Sequence, residues 1–289
     1  MESVANELSQ IQKGIIRMRG DPKLHPDASI IVPVNAQGDL ENILRLLGGI
    51  TRYLGKYLFE IILVINNYSP EEPPREIDTY RILGLTIIDI PNIRKPGEAP
   101  GFTARIPGTK IALSENTIFF DADCRILNPT VLFDWYIQQF ENGVQAAYTH
   151  VDYYDLNARL SVRARILFHH LSRWIKRVIL QVPTIRGSNY AVNRSLFLKL
   201  YDNGMLADDM NVGPSVKSIG AKVAYNGSKE MTVLTSGRMF SGGWYKLLKY
   251  LRYRLRYNIR VLPVRTEAAR FTDREKDPVR KYVNNKPVK

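Results

Sequence analysis

The strongest constraint on the fold of this 289-residue chain is a set of short runs that are apolar nearly throughout. SIIVPV at 29–34, FEIILVI at 59–65, LTIIDI at 85–90 and NTIFF at 116–120 are rich in β-branched and aromatic residues and too short for helices. After the first run, Leu40, Ile43, Leu44, Leu47 and Ile50 recur at helical spacing, which predicts a helix within 39–54. IPGTKIALS, ahead of the fourth run, is expected to be helical too. Strands that are apolar on both faces must be covered on both. The alternation therefore predicts an α/β fold with a mostly parallel sheet flanked by helices. Such sheets bind ligands at the carboxyl ends of their strands, so the polar residues just after each run become the candidates.

Charge separates the chain into two parts. The formal net charge is +13, but residues 231–289 hold 15 Lys/Arg against 4 Asp/Glu, so that all but +2 falls in the last fifth of the chain. A near-neutral body with a basic tail points to an anionic partner for the tail: lipid headgroups, nucleic acid or an acidic polymer. Apolar content of 45% is that of a globular protein, and the single cysteine, Cys124, has no intrachain partner, which suits a reducing compartment. Residues 1–28 are interspersed with charges and lack the apolar core of a signal peptide. The longest wholly apolar run, 61–65, is far short of the roughly 20 residues that span a bilayer. A cytoplasmic protein is expected, either free or peripheral at the inner face of the membrane.

The sharpest local signal is IFFDADCR, where Asp121 and Asp123 follow an apolar strand. In extended backbone an i, i+2 spacing places both carboxylates on one side. Two hard oxygen donors at the mouth of a parallel sheet can hold Mg²⁺ or Mn²⁺, and through it a diphosphate. Asp-x-Asp alone is common, and a solvated turn or a helix cap is the competing reading.

Four segments in order resemble the family 2 glycosyltransferases: SIIVPVNAQGDLENILRLL, FEIILVINNYSP, ARIPGTKIALSENTIFFDADCRI and IRGSNYAVNRSLFLKLYDNGMLADDMNVGPSVKSIGAKVAY. The resemblance implies a GT-A-like fold over residues 29–243, with a Rossmann-like nucleotide-binding half and an acceptor-binding half. Residues 1–28 would be an N-terminal extension, and 244–289 a basic C-terminal helical extension with a polar tail. The implied activity is that of an inverting, metal-dependent hexosyltransferase, acting in polysaccharide or glycolipid synthesis. It would take a UDP- or GDP-linked sugar as donor and a carbohydrate or lipid-linked acceptor.

Carried over by position, the resemblance implies that Pro33 and Asn35 shape the loop near the nucleoside, with Asn67 close to the base. Arg105 and Lys110 would lie near the diphosphate, with Gly108 permitting close backbone approach. Asp121 would contact ribose or metal and Asp123 the metal, Mn²⁺ or Mg²⁺. Gly187, Ser188 and Asn189 would line the donor-sugar and acceptor pocket, and Arg238, in TSGRMF, would reach the diphosphate. Asp209 would be the general base, with Asp208 its neighbour or substitute. By residue type alone, Asp208–Asp209 equally suits a helix start, Gly187–Asn189 a turn, and Lys110 an exposed helix position.

The chain departs from the family pattern in several places. No aromatic stands between Val34 and Asn35, Asn66–Asn67 occupies the usual Asp turn, and the acidic pair is Asp-Asp rather than Glu-Asp. All four histidines (His25, His150, His169, His170) precede that pair, so the late histidine that completes the metal shell in many relatives is missing.

Residues 158–180 are expected to form a helix with Leu160, Ala164, Leu167, Leu171, Trp174, Ile175 and Val178 along one stripe. Core packing is the favoured fate of that stripe, and an anionic membrane surface the alternative. For 244–257, also basic and amphipathic, both readings stand. Two other functions compete with glycosyl transfer. One is nucleic-acid binding by the Tyr/Arg-rich C-terminal region, disfavoured because its charge lies outside the expected pocket. The other is a degenerate transferase that binds nucleotide-sugar without turnover.

Overall fold

The computed structural model of the protein describes residues 2–93, 100–156 and 159–237, together with positions 244, 245, 248 and 252. The elements are α1 (Glu2–Arg19), β1 (Ala28–Asn35), α2 (Leu40–Ile50), β2 (Phe59–Asn66), α3 (Glu76–Ile82), β3 (Thr86–Ile90), α4 (Pro100–Ile111), β4 (Asn116–Phe119) and β5 (Arg125–Ile126), followed by α5 (Pro129–Glu141), β6 (Ala146–Thr149), β7 (Val151–Tyr153), α6 (Leu160–Val178), β8 (Tyr190–Asn193), α7 (Arg194–Asp202), α8 (Asp209–Ser218), β9 (Val223–Asn226) and β10 (Val233–Thr235). Each expected strand is present. The helix expected over IPGTKIALS begins earlier, at Pro100, so Arg105 lies inside α4 rather than in the loop before it.

A seven-stranded sheet in the order β3-β2-β1-β4-β8-β6-β9 forms the centre, and β5-β10-β7 make a second, three-stranded sheet. Pairings β3–β2–β1–β4 are parallel, whereas β8 is antiparallel to both neighbours. This reversal positions the site. The parallel strands β1, β2 and β4 deliver Asn35, Asn66 and the segment after Phe119 to one edge, and antiparallel β8 starts at that same edge, with Tyr190 opposite Phe119.

The strands are apolar on both faces because each face has its own core. Ile30, Val32 and Val34 of β1 point into a cluster with Ile11, Ile15 and Met18 of α1, Ile43 and Leu47 of α2 and Phe133 of α5. Ile31, Ile62 and Val64 point the other way, to Phe102 of α4, Phe197 of α7 and Val212 of α8. Residues 2–19, expected only as an extension, thus contribute side chains to the main core.

Packing of α4 on the sheet depends on Gly108. A Cβ there would lie 2.7 Å from Ile31 Cγ2 and 3.0 Å from Val64 Cγ2, inside contact distance with two fully buried side chains. Gly108→Val should therefore cost about 1–3 kcal/mol by overpacking. Urea unfolding measures this, and an unchanged midpoint would show that α4 moves away freely.

Candidate functional site

At the carboxyl edge of the sheet, one guanidinium collects the groups that the sequence separates by about a hundred residues. Arg105 reaches there from the middle of α4, and its side chain is fully buried. Its Nη1 donates to Asp209 Oδ2 at 3.1 Å and to the Gly101 carbonyl at 3.0 Å. Nη2 donates to Asp121 Oδ1 at 2.7 Å and to the Gly187 carbonyl at 2.8 Å. A buried cation must be paired, and two carboxylates and two carbonyls converge on this one. Burial opposes its charge, but Asp209, Tyr190 and Asp121 outweigh that and hold its pKa above the ordinary arginine value.

Asp209 is the first residue of α8, and Asp208 is the N-cap, its Oδ1 accepting the Met210 N–H at 3.4 Å. Asp209 Oδ1 accepts the Tyr190 hydroxyl at 2.9 Å. Burial pushes the Asp209 carboxyl up to about 6; Arg105 pulls it down, and Asp208 and Asp121 push it up again. A carboxyl that changes charge near neutrality suits proton transfer. Gly187 permits this convergence, because a Cβ there would stand 2.8 Å from Asp209 Oδ2 and 2.9 Å from Asp121 Oδ1.

The Asp-x-Asp segment is not extended, as the spacing argument assumed. β4 ends at Phe119, and the Cys124 N–H bonds back to the Asp121 carbonyl at 3.1 Å, closing a turn. The two carboxylates accordingly have different partners. Asp121, 40% exposed at its side chain, accepts from Arg105 and, at 3.2 Å, from Ser188 Oγ. Asp123 accepts the Thr235 hydroxyl at 3.0 Å. Among the described residues no cluster of three or more His, Cys, Asp or Glu side chains is arranged to hold a metal. The hard oxygen donors of Asp121 and Asp123 still fit Mg²⁺ or Mn²⁺ in the usual manner, with one or two carboxylates and the remaining positions filled by water and phosphate.

Other expected site residues fall into three groups. Asn35 and Asn67 meet, Asn67 Nδ2 donating to Asn35 Oδ1 at 2.8 Å, with Asn67 at a positive φ of 65°. Pro33 is buried in β1 opposite Val64, two residues short of the strand end. Lys110, Gly108 and Asn189 make up the third group. Lys110 is exposed in the last turn of α4, five residues beyond Arg105 and at the end that leads to the start of β4. Gly108 serves helix–sheet packing. Asn189 is buried and its amide is consumed within the core, accepting from the Tyr136 hydroxyl and donating to Thr149. Arg238 lies outside the described residues.

Sequence reasoning missed Tyr190 and Thr235. Tyr190 directly follows the Arg-Gly-Ser-Asn segment and Thr235 opens Thr-Ser-Gly-Arg, so both stood beside motifs already singled out. What gave no signal was their pairing with Asp209 and Asp123.

The helix α6 is present, but its orientation reverses the expectation of core packing. Leu160, Leu167, Leu171, Trp174 and Val178 are exposed, at 82%, 70%, 48%, 46% and 51%, whereas Arg165, His169 and Arg173 are buried at 6%, 2% and 7%. Each face of the main sheet already carries its own core, built from other helices. Of the 244–257 segment only Trp244, Tyr245, Leu248 and Arg252 are described, and all four are exposed. No helix among the described residues is long and apolar enough to cross a membrane.

No protein-family profile matches the sequence, and no curated protein sequence matches it. Solved structures do. A mannosyltransferase from Pyrobaculum calidifontis, in complex with GDP-Man and Mn²⁺, superposes with a TM-score of 0.53 at 14% identity, over 94% of this chain and 77% of that one. Glucosyl-3-phosphoglycerate synthase from Mycobacterium tuberculosis, with Mn²⁺, UDP and glucosyl-3-phosphoglycerate, gives 0.50 at 15% identity, over 89% and 84% of the two chains. The chain therefore has the GT-A fold, as the ordered segments led one to expect.

Removing the central cation should unbalance the site. Arg105→Leu leaves Asp209 buried beside Asp121 and Asp208, at a cost of about 3–5 kcal/mol. Without the guanidinium the Asp209 pKa rises further above its unfolded value. The variant is then most stable in acid, and loses stability as pH rises through the folded-state pKa. Urea midpoints at pH 5 and pH 8 test this; an equal loss at both would mean that Asp209 carries no unpaired charge in the variant.

Proposed function

We propose that this protein is an inverting glycosyltransferase, moving a sugar from a UDP- or GDP-linked donor to an acceptor hydroxyl. The observation that supports it best is the Arg105 bridge, which joins Asp121 and Asp209 at the ligand-binding edge of a GT-A sheet. The likeness of the fold to enzymes solved with Mn²⁺ and a nucleotide or nucleotide-sugar agrees with it.

In this reading the donor nucleoside lies over the ends of β1 and β2, where Asn35 and Asn67 pair. A divalent cation, Mn²⁺ or Mg²⁺, held by Asp123 and Asp121, would supply charge neutralisation for the leaving diphosphate. Asp209 takes the proton of the acceptor hydroxyl as its oxygen attacks the anomeric carbon. The new C–O bond forms on the face opposite the diphosphate, the old one breaks, and its electron pair stays on the diphosphate oxygen. Arg105 holds Asp209 in place and keeps a fraction of it ionised despite burial. Tyr190 fixes the carboxylate plane. Although each Asp209 oxygen already accepts one hydrogen bond, a carboxylate has about four lone-pair positions, and two remain for the substrate proton.

The same two bonds favour a second reading, in which Asp209 is structural and the protein binds nucleotide-sugar without turning it over. Transfer assays separate the two. Asp209→Asn should retain Mn²⁺-dependent donor binding and lose transfer by at least about a hundredfold. In the native enzyme kcat/KM should rise with pH through about 6, as the base loses its proton. Sugar transfer by the Asn variant at the native rate would move the base elsewhere, to Asp208 first. Asp123→Ala should abolish metal-dependent nucleotide binding.

The outward stripe of α6 agrees with the proposed membrane contact. Leu167, Phe168, Leu171, Trp174 and Ile175 are exposed together, and Arg159 and Arg163, both exposed, border them. Aromatic and aliphatic residues edged by cations complement an anionic lipid surface, and the +11 balance of residues 231–289 adds a second attraction. The protein would then be peripheral at the inner, cytoplasmic face of the membrane, acting on a lipid-linked or polysaccharide acceptor. Leu171→Ser/Trp174→Ser should reduce co-sedimentation with phosphatidylserine vesicles about tenfold or more, with the fold retained. Vesicle binding unaffected by the pair, or a dimer dispersed by it, would assign the stripe to another occupant.

A further inference from the structure

The second of the two carboxylates after β4 is tied to β10, the last strand among the described residues. Asp123 Oδ1 accepts the Thr235 hydroxyl at 3.0 Å, across 112 positions of sequence. Thr235 is the last residue of β10, the middle strand of the small sheet, and it is buried. On one side β10 pairs antiparallel with β5, Val233 opposite Ile126 and Leu234 opposite Arg125, and β5 directly follows the turn that holds Asp123. On the other side it pairs parallel with β7, Thr235 standing opposite Tyr153. The ladder with β5 thus runs up to the acidic turn and brings Thr235 beside it.

A β-branched side chain in a strand has few χ1 settings, so the backbone of β10 fixes the direction of the hydroxyl. The strand end is in turn secured from the β7 side. The Tyr154 N–H donates to the Thr235 carbonyl at 3.3 Å, and the Tyr154 ring centroid lies 3.6 Å from the Arg125 guanidinium. Just beyond, both oxygens of Asp155 are used: Oδ2 accepts the Ser236 hydroxyl and Oδ1 the Gly237 N–H. The two acidic side chains of the Asp-x-Asp segment therefore have separate holders. Asp121 is oriented by Arg105 of α4 and by Ser188 before β8, and Asp123 is held from β10.

A carboxylate that must be ordered when it takes a cation binds more weakly than one already held, because the ordering costs entropy. A hydroxyl donated to one oxygen fixes the plane of the group. A carboxylate has about four lone-pair positions, so such a hydroxyl and a cation need not compete.

We propose that Thr235 is a positioning residue for Asp123. It sets the direction of the carboxylate toward the divalent cation, and the bonds from Ser236 and Gly237 to Asp155 hold the strand end from which it does so. This role rests on the reading that Asp123 binds the cation; the hydrogen bonds themselves do not. A bond that merely fastened β10 to the turn would, when lost, lower Tm and leave cation affinity alone.

The test titrates the full chain with Mn²⁺ alone, reads the free ion by electron paramagnetic resonance, and records Tm for each sample. Asp123→Ala gives the level of binding outside the site. Thr235→Val should weaken Mn²⁺ binding about tenfold to a hundredfold, and Thr235→Ser should restore most of it. Ser236→Ala, which changes no charge, should weaken binding in the same direction by less. Thr117→Val removes another buried hydroxyl bond, from β4 to the Val192 carbonyl, and should lower Tm without changing Mn²⁺ affinity. Wild-type affinity in Thr235→Val overturns the role of Thr235. So does a serine variant as weak as the valine one, or an equal loss in Thr117→Val. Wild-type affinity in Ser236→Ala overturns the role of the Asp155 bonds. Should the valine prevent folding, Thr235→Ala against Thr235→Ser makes the same comparison. A wild type that binds Mn²⁺ no better than Asp123→Ala sinks the metal-dependent reading and the positioning role with it. Binding by wild type that Thr235→Val leaves intact sinks the positioning role alone.

Discussion

The buried guanidinium of Arg105 is the constraint around which this end of the molecule is organised. A charge withdrawn from water must find partners, and Arg105 finds them on the segment after β4, the segment before β8 and the first residue of α8. These lie far apart in the chain, so the ion pairs tie three connections to the middle of one helix. The glycine at 187 is a consequence, since the guanidinium and both carboxylates leave no room for a side chain. So is the titration of Asp209, where burial is opposed but not cancelled by the arginine. The group that holds the local fold together also opposes the effect of burial on the candidate base.

Two cationic regions lie beside the sheet. At Arg105 the protein supplies its own anions. On the inward face of α6, Arg165, His169 and Arg173 are buried, and Arg186 reaches His169 from the segment before β8. The helix that turns this face inward turns its leucines and its tryptophan outward, against the usual economy of burial.

Much of the architecture was legible in the sequence, because strands apolar on both faces admit few folds. The runs at 29–34, 59–65, 85–90 and 116–120 became β1 to β4, and the ordered segments pointed to the GT-A fold that the superpositions bear out. Periodicity also located α6 almost to the residue. It did not say which side of that helix faces inward, since an amphipathic pattern defines two faces and leaves open what covers each.

At the site, the sequence by itself determined which residue types stand where, because acidic residues after a buried strand and glycine beside them are chemical facts of the chain. Only the tertiary structure decided their partners. Antiparallel β8 brings Gly187 and Tyr190 to the edge where β4 leaves Asp121, whereas the rise of α4 carries Lys110 away toward the opposite edge. Asn189, expected at the pocket, pairs with Tyr136 and Thr149, while Thr235, which no motif singled out, holds Asp123. The reason is that hydrogen bonds and ion pairs act over about 3 Å in space, and strand order, which no local pattern encodes, sets which distant residues come within that reach.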